Sequence, residues 1–244
     1  MNILKENERI DELHRNNYVI IQDVKRFCFG IDAVLLSDFA KAKKNDIVFD
    51  IGTGTGIIPI LMSAKTEAKK FFAIDIQKES VDMAKRSVEL NKLNDKIEVF
   101  HLDIKNVFDK FEKNSVNVIT SNPPYMNMGG GIINEYDAKA IARHEIFCNL
   151  EDIVKATSLL LKPNGKFYMV HRPNRLCDII CTLRQYKLEP KTIRFVQPYK
   201  NKEPNIVLIE SVKNGKVLLK VLPNLIVYNE NRQYTDEVNK IYYH

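Results

Sequence analysis

Two consecutive prolines, Pro123 and Pro124, constrain the fold more than any other feature of this sequence. They follow an apolar run at residues 116–120 that is typical of a buried β-strand. Because proline lacks an N–H group and fixes its φ angle, the chain cannot continue a sheet through this pair. The strand must therefore end here, and the next residues leave it in a stiff, extended conformation. In open α/β sheets, ligands bind at such carboxyl ends of strands.

The segment Asn122-Pro123-Pro124-Tyr125 offers groups that suit chemistry on a planar amino group. The lone pair of such an amine is delocalised, so the amine is a poor nucleophile. The Asn122 side-chain oxygen and the Pro123 carbonyl are both acceptors and can take its two hydrogens, while the Tyr125 ring can stack on the flat group. Taken alone, the segment is more typical of a turn after an edge strand, so a second motif is needed.

That second motif is the glycine-rich segment at residues 50–56, Asp-Ile-Gly-Thr-Gly-Thr-Gly, which follows a strand-like run. Its glycines allow a tight turn close to a ligand, and the following helix offers unpaired N–H groups. A dinucleotide-binding fingerprint would place a glycine where this chain has Ile57. Asp75 ends the next apolar run and could hold both hydroxyls of a ribose. The combination favours a ribose-containing ligand other than a nicotinamide or flavin dinucleotide.

Strand and helix patterns alternate along the chain, which predicts an α/β fold with a doubly wound, mostly parallel seven-stranded sheet. The last two strands are separated by a turn too short for a crossover helix, so they should form an antiparallel edge hairpin. No Gly/Ser/Pro-rich linker divides the chain, which favours one domain over residues 1–244, with residues 1–45 as an extension flanking the cleft. Strands are predicted near residues 46–50, 71–75, 97–101, 116–121, 166–171, 191–196 and 206–212, and helices near 32–41, 57–64, 78–93, 151–161 and 175–186.

The order of these motifs resembles the Rossmann-like class I S-adenosylmethionine-dependent methyltransferases that modify amino nitrogens through an NPPY motif. A closer resemblance, to the bacterial tRNA1(Val) adenine-37 N6-methyltransferases, rests on the shared order of four further segments. The chain departs from that family at Asn224, where a second proline is expected, and at Asp75, where relatives often carry Glu. Neither change removes a chemical role. The four segments are residues 29–36, 142–145, 170–172 and 223–228.

The resemblance implies S-adenosyl-L-methionine as the methyl donor, S-adenosyl-L-homocysteine as the product, and no metal. The catalytic residues would be Asn122, Pro123, Pro124 and Tyr125. Residues 126–145 would form a lid over the target base, although an inert surface loop is an alternative. The implied cofactor-binding residues are Gly30, Asp50, Gly52, Thr53, Gly54, Gly56, Asp75, Ile76, Asp103, Ile104 and Asn122. The candidate substrate-binding residues are Lys25, Arg26, Tyr125, Arg143 and His144, of which His144 is expected to form hydrogen bonds rather than act as a base.

The composition agrees with an RNA partner and argues against a membrane-spanning, secreted or metal-binding protein. The net charge of +6 and the pI of about 9.0 suit an anionic partner. No apolar run approaches the length of a membrane span, and the first residues lack a signal-peptide pattern, so a cytoplasmic location is expected. The four cysteines lack close metal-ligand spacing and are expected to be buried, reduced thiols. No obligate protein partner is inferred.

The favoured function is N6-methylation of an unpaired adenine in tRNA, with adenine 37 of a valine tRNA implied by the resemblance. A protein-glutamine N5-methyltransferase acting on release factors is the main alternative. The family of that activity carries a sizeable helical N-terminal domain, whereas here only residues 1–45 precede the first predicted strand. DNA adenine methylation would similarly need a target-recognition segment. Another RNA amino-group methyltransferase is a further alternative, and a non-catalytic binding module would not require an intact NPPY motif.

Overall fold

An eight-stranded β-sheet lies at the centre of the molecule. The computed structural model describes residues 3–26, 28–123 and 149–243. The strands are β1 (Glu8–Glu12) and β2 (Val19–Asp23), which form a separate hairpin, and then β3 (Ile47–Ile51), β4 (Lys70–Asp75), β5 (Ile97–His101), β6 (Val116–Ser121), β7 (Leu161–His171), β8 (Leu188–Gln197), β9 (Ile206–Lys213) and β10 (Lys220–Ile226). The order in the large sheet is β10-β8-β9-β7-β6-β3-β4-β5. Among these strands only β9 runs against its neighbours, so the others end at one common side, here called the carboxyl edge.

Helices cover both faces of this sheet. One face carries α1 (Ile31–Phe39), α2 (Ile57–Lys65), α3 (Lys78–Leu90) and α6 (Asp236–Tyr243), and the other carries α4 (Leu150–Leu160), α5 (Leu176–Gln185) and a 3-10 helix (Ile104–Asp109). Successive strand residues enter opposite cores: Val48 packs with the first group of helices and Phe49 with the second. The central strands are therefore apolar on both faces, as buried parallel strands are. Within the described ranges, no helix has both the length and the apolar character needed to cross a bilayer.

The predicted doubly wound fold is confirmed, and so is the antiparallel pairing of β8 with β9. The sheet nevertheless has one strand more than the seven expected, and the β8–β9 pair does not form its edge. Strand β10 takes the edge position and pairs in parallel with β8. The sequence did not predict β10 because Pro223 and Asn224 interrupt the pattern expected of a strand. Proline is tolerated on an edge strand, and the register here shifts between Leu222 and Leu225.

The N-terminal hairpin packs against α3. The backbone N–H of Ile21 donates to Ser87 Oγ at 3.0 Å, and Arg86 lies 2.6 Å from Glu8 in an ion pair. The backbone N–H of Phe29 donates to the side-chain oxygen of Gln22 at 2.8 Å. These contacts fix the chain that leads from the hairpin into α1.

The cysteines differ from expectation. Cys177 and Cys181 are exposed on α5, so the prediction of buried thiols is wrong for these two. The buried positions of that helix are Ile179 and Leu183, and an amphipathic helix turns the intervening face to solvent. Cys28 is half-buried, and Cys148 lies outside the described residues.

Candidate active site

The two sequence motifs meet at the carboxyl edge because β3 and β6 are adjacent. Asp50 pairs with Thr120 in the ladder, and Ile51 pairs with Ser121. The Thr120 hydroxyl donates to Asp50 Oδ1 at 2.6 Å, and the Ser121 hydroxyl donates to the Ile51 carbonyl at 3.1 Å. The glycine-rich loop and Asn122 therefore leave the sheet from neighbouring strands, about 4.8 Å apart.

The glycine-rich loop uses its glycines in two ways. Gly52, Gly54 and Gly56 have positive φ angles of 71°, 55° and 89°, a region that residues with a side chain rarely adopt. A Cβ atom on Gly52 or Gly54 would meet nothing within 4 Å, so these two border open space. A Cβ atom on Gly56 would lie 3.3 Å from that of Ala84 on α3. Gly52 and Gly54 thus border the candidate site, whereas Gly56 lets the chain just before α2 approach Ala84 on α3.

Asp75 is held rigidly at the end of β4. Its side chain is buried, and its two oxygens accept backbone N–H groups from Gly54 and Gln77, each at 2.8 Å. The loop itself is anchored on the same strand, since the N–H groups of Gly52 and Thr53 both donate to the Ile74 carbonyl. A carboxylate has about four acceptor positions, so it can accept hydrogen bonds from several donors at once. The geometry suits a ligand with two neighbouring hydroxyls.

Asp50 is the most perturbed acid at this edge. It is 1% exposed, and its Oδ2 has no hydrogen-bond partner among the residues that the structure describes. Burial raises the pKa of Asp50 to about 7. The hydrogen bond from Thr120 opposes this rise, as does the nearby Thr53 hydroxyl, while the charge of Asp75 adds to it. A buried carboxylate oxygen without a partner is costly, and a cationic group of a ligand would satisfy it.

The ends of β4 and β5 place three further predicted cofactor residues beside Asp75. The ring Nε2 of His101 lies 2.9 Å from the Ile76 carbonyl, and the Leu102 N–H donates to the Asp75 carbonyl at 3.0 Å. Asp103 caps the following 3-10 helix by accepting the Lys105 N–H at 2.9 Å. Ile104, the first residue of that helix, is buried. Ile76, Asp103 and Ile104 therefore line the same edge.

Some of the remaining predicted residues lie within the described ranges and others lie outside them. Gly30 caps the start of α1, which lies at the carboxyl edge. Lys25 and Arg26 are exposed just before it, and the Arg26 guanidinium lies 3.7 Å from Glu79 at the start of α3. Asn122 is half-buried and Pro123 is buried at the end of β6. Pro124, Tyr125, Arg143, His144 and the segment 126–145 lie outside the described residues.

Three residues that the sequence did not single out also belong to this edge. Thr120 holds Asp50, a pairing that depends on strand register and so leaves no local sequence signal. Burial raises the pKa of Asp32 at the start of α1, and the charge of Arg172 opposes that rise. Arg172 follows β7 and donates from Nη1 to the Asn205 carbonyl at 2.8 Å. Asp32 and Arg172 do lie in segments that carried the family resemblance, which could have identified them.

Comparisons with known proteins agree with this architecture. A tRNA1(Val) (adenine(37)-N6)-methyltransferase from Dyadobacter fermentans is 29% identical over 150 residues, which span 62% of this chain and 60% of that protein. The protein of the same name from Flavobacterium johnsoniae is 25% identical over 221 residues, 90% of this chain and 92% of the relative. A solved structure of a predicted O-methyltransferase from Agrobacterium tumefaciens superposes with a TM-score of 0.70 at 20% identity, covering 86% of this chain and 94% of that one. The likeness to this structure concerns the fold.

The family model described as "Methyltransferase small domain" matches residues 30–185. This range is well over half of the chain and runs from the start of α1 to the end of α5. It includes the glycine-rich loop, Asp75 and Asn122, and the predicted class I methyltransferase fold is confirmed by the sheet around them. The chain therefore belongs to the methyltransferase small domain family.

Proposed function

We propose that this protein methylates N6 of an unpaired adenine in tRNA, with S-adenosyl-L-methionine as the methyl donor. We further propose that the target is adenine 37 in the anticodon loop of a valine tRNA. The observation that carries the proposal is the placement of Asn122 beside the glycine-rich loop, on adjacent strands. The names of the relatives from Dyadobacter fermentans and Flavobacterium johnsoniae support the choice of substrate.

The residues at the carboxyl edge fit the cofactor. Asp75 would accept the two ribose hydroxyls, and the unpartnered Oδ2 of Asp50 would meet the cationic amine of the methionine part. The open space beside Gly52 and Gly54 leaves room for that part, and Ile76, Asp103, Ile104 and Gly30 would border the remainder. When bound, S-adenosylmethionine supplies a methyl group that its sulfonium sulfur already activates.

The chain's own contribution to catalysis is orientation. The Asn122 side-chain oxygen and the Pro123 carbonyl would accept the two hydrogens of the adenine amine and turn its lone pair toward the methyl group. Pro124 would stiffen the segment through its fixed φ angle, and Tyr125 would stack on the base. The methylated nitrogen is acidic, so its proton can leave to water or to one of these acceptors. No ionised base is needed.

Substrate capture would use charge and an unpaired base. An adenine beside the anticodon needs little unpairing before it enters the site, whereas extrusion of a duplex base costs a few kcal/mol. Lys25, Arg26 and Arg143 would contact phosphates, and His144 would hydrogen-bond the substrate.

The test offers the purified protein a labelled methyl donor with total tRNA, release factor and duplex DNA in parallel. We expect label in tRNA, and nucleoside mass analysis should locate N6-methyladenosine at position 37 of a valine tRNA. The same nucleoside should be missing from tRNA of a strain that lacks the protein. Label on the release factor alone would establish protein-glutamine methylation and overturn the proposal.

A further inference from the structure

A row of stacked tyrosine rings begins at the carboxyl edge. Tyr199 lies 5.5 Å from Tyr228 between ring centroids, Tyr228 lies 5.4 Å from Tyr234, and Tyr234 lies 5.3 Å from Tyr242. The rings in each of the last two pairs are nearly parallel, with interplanar angles of 18° and 17°. We call Tyr199, Tyr228, Tyr234 and Tyr242 the tyrosine row. Contacts of this kind hold each ring in a defined orientation.

The outer end of the tyrosine row lies at the same edge of the sheet as Asn122. Tyr199 follows β8 and Tyr228 follows β10, and both strands end at the carboxyl edge as β6 does. Strands β7 and β9 lie between β6 and β8, so three strand spacings separate Asn122 from Tyr199, about 15 Å along the edge. That distance corresponds to a few nucleotides of an extended single strand.

The loop at residues 198–205 is tied to the site across this gap. The Arg172 guanidinium at the end of β7 donates to the Asn205 carbonyl at 2.8 Å, and the Tyr228 N–H donates to the Pro198 carbonyl at 2.9 Å. Both ends of the loop are therefore fixed at the carboxyl edge. Tyr199 is the terminal ring of the row, because within the described part of the chain only the Tyr228 ring lies against it, tilted by 34°.

The same loop carries cations. Lys200 and Lys202 are exposed, and neither ammonium forms an ion pair with a residue in the described ranges. Glu203 opposes them, so the loop has a net charge of +1. Rings that can stack on bases, combined with nearby cations, are typical of surfaces that bind single-stranded nucleic acid.

We propose that Tyr199 and the loop at residues 198–205 dock the unpaired tRNA nucleotides next to the target adenine. One base stacks on the outer face of Tyr199, whose orientation the rest of the tyrosine row holds, and the adjoining phosphates lie near Lys200 and Lys202. The inference rests on the proposed function, since it takes tRNA as the occupant. It adds a second contact with tRNA, three strands away from Asn122 and Pro123, which would orient the amine.

The experiment compares Tyr199→Ala, Tyr199→Phe and the double variant K200Q/K202Q. Tyr186→Ala and K43Q/K44Q are matched controls, because those residues lie at the opposite edge of the sheet. Fluorescence anisotropy with valine tRNA, in the presence of S-adenosylhomocysteine, gives Kd and its salt dependence, and methylation assays give kcat and KM. S-adenosylhomocysteine affinity reports on the fold.

We expect Tyr199→Ala to raise Kd and KM for tRNA about ten-fold while kcat and S-adenosylhomocysteine affinity stay nearly constant. Tyr199→Phe keeps the ring and should behave like the unaltered protein. K200Q/K202Q should reduce the slope of log K against log salt by roughly 1 to 2, which the controls should not do. With 2-aminopurine beside the target adenine, binding should quench fluorescence in the unaltered protein and in Tyr199→Phe, and Tyr199→Ala should lose the quenching.

Normal tRNA affinity and KM in Tyr199→Ala, with methylation intact, would overturn the docking surface and leave the proposed function standing. Absence of tRNA methylation by the unaltered protein would instead refute the proposed function. If Tyr199→Ala loses S-adenosylhomocysteine binding, its fold has failed, and the salt slope of K200Q/K202Q then serves as the test: an unchanged slope overturns the docking surface.

Discussion

The two halves of the carboxyl edge hold their functional groups in different ways. At the ends of β3 and β4, the cofactor half consists of two buried carboxylates and glycines with positive φ angles, and nearby hydrogen bonds hold both carboxylates in place. At the ends of β6, β7, β8 and β10, the proposed substrate half consists of half-buried rings and exposed cations drawn from distant parts of the chain. A small ligand of constant shape can be met by a rigid, local motif. A large anionic partner such as the proposed tRNA would be met by contacts spread across several strands.

This difference has a consequence for substitutions. Changes in the cofactor half should affect cofactor affinity and stability together, because the same contacts serve both. Changes in the substrate half should affect turnover or tRNA affinity while leaving the fold intact. Asn122 lies at the boundary between the two halves. Its substitution should lower turnover strongly while changing cofactor affinity and stability little.

The largest effect is expected for Asn122→Ala. In the proposed mechanism the lost acceptor acts on the reacting amine, so the single-turnover rate should fall roughly 100- to 1000-fold, by analogy with the removal of one preorganised polar contact. Cofactor affinity and Tm should change little, because Asn122 is only half-buried at the strand end. A near-normal single-turnover rate would contradict both the mechanism and the boundary role of this residue.

Asp75→Ala should have the next largest effect, this time on cofactor binding. Two ribose hydroxyls would lose an acceptor, and the Gly54 and Gln77 N–H groups would lose theirs, so affinity should weaken by about 1 to 3 kcal/mol. Calorimetry with S-adenosylhomocysteine measures this. Asp75→Glu keeps the charge and should lose less. Unchanged affinity in Asp75→Ala would remove this residue from the site.

A smaller effect should distinguish two glycines of one loop. Gly54→Ala strains a left-handed residue by about 1 to 2 kcal/mol and places its methyl group in the open space assigned to the cofactor. Gly56→Ala carries the same strain and also presses on Ala84 at 3.3 Å. We expect Gly54→Ala to lose more cofactor affinity and Gly56→Ala to lose more Tm. The reverse order would mean that Gly54 does not border the cofactor.

The sequence predicted the cofactor half more completely than the substrate half. Residues 50–56 are a continuous motif, and apolar runs located the strands that carry Asp75 and Asn122, so the cofactor half could be identified locally. The bond between Thr120 and Asp50 depends on strand register, which no local pattern encodes. Strand β10 was missed because Pro223 interrupts its pattern. The tyrosine row joins residues from 199 to 242 that only the folded chain brings together.

A pH dependence is also predicted at Asp50, in the cofactor half. Burial raises the pKa of Asp50 from its ordinary 3.8 to about 7 in the folded protein. Between these two values the folded state binds more protons than the unfolded state, so the contribution of this group to stability falls as the pH rises through that window. Without cofactor, the unaltered protein should therefore lose more stability on going from about pH 5 to pH 7 than Asp50→Asn does.

Cofactor binding should show the opposite trend. A cationic methionine amine favours the ionised Asp50 carboxylate, so affinity for S-adenosylhomocysteine should rise a few-fold between about pH 6 and pH 8, with release of a proton. Asp50→Asn cannot ionise and should flatten this dependence while the Thr120 contact keeps the strand ends together. Calorimetry in buffers of different ionisation enthalpy counts the released protons. Equal pH profiles for the two proteins would show that Asp50 does not meet the amine. The cofactor half would then include Asp75 but not Asp50.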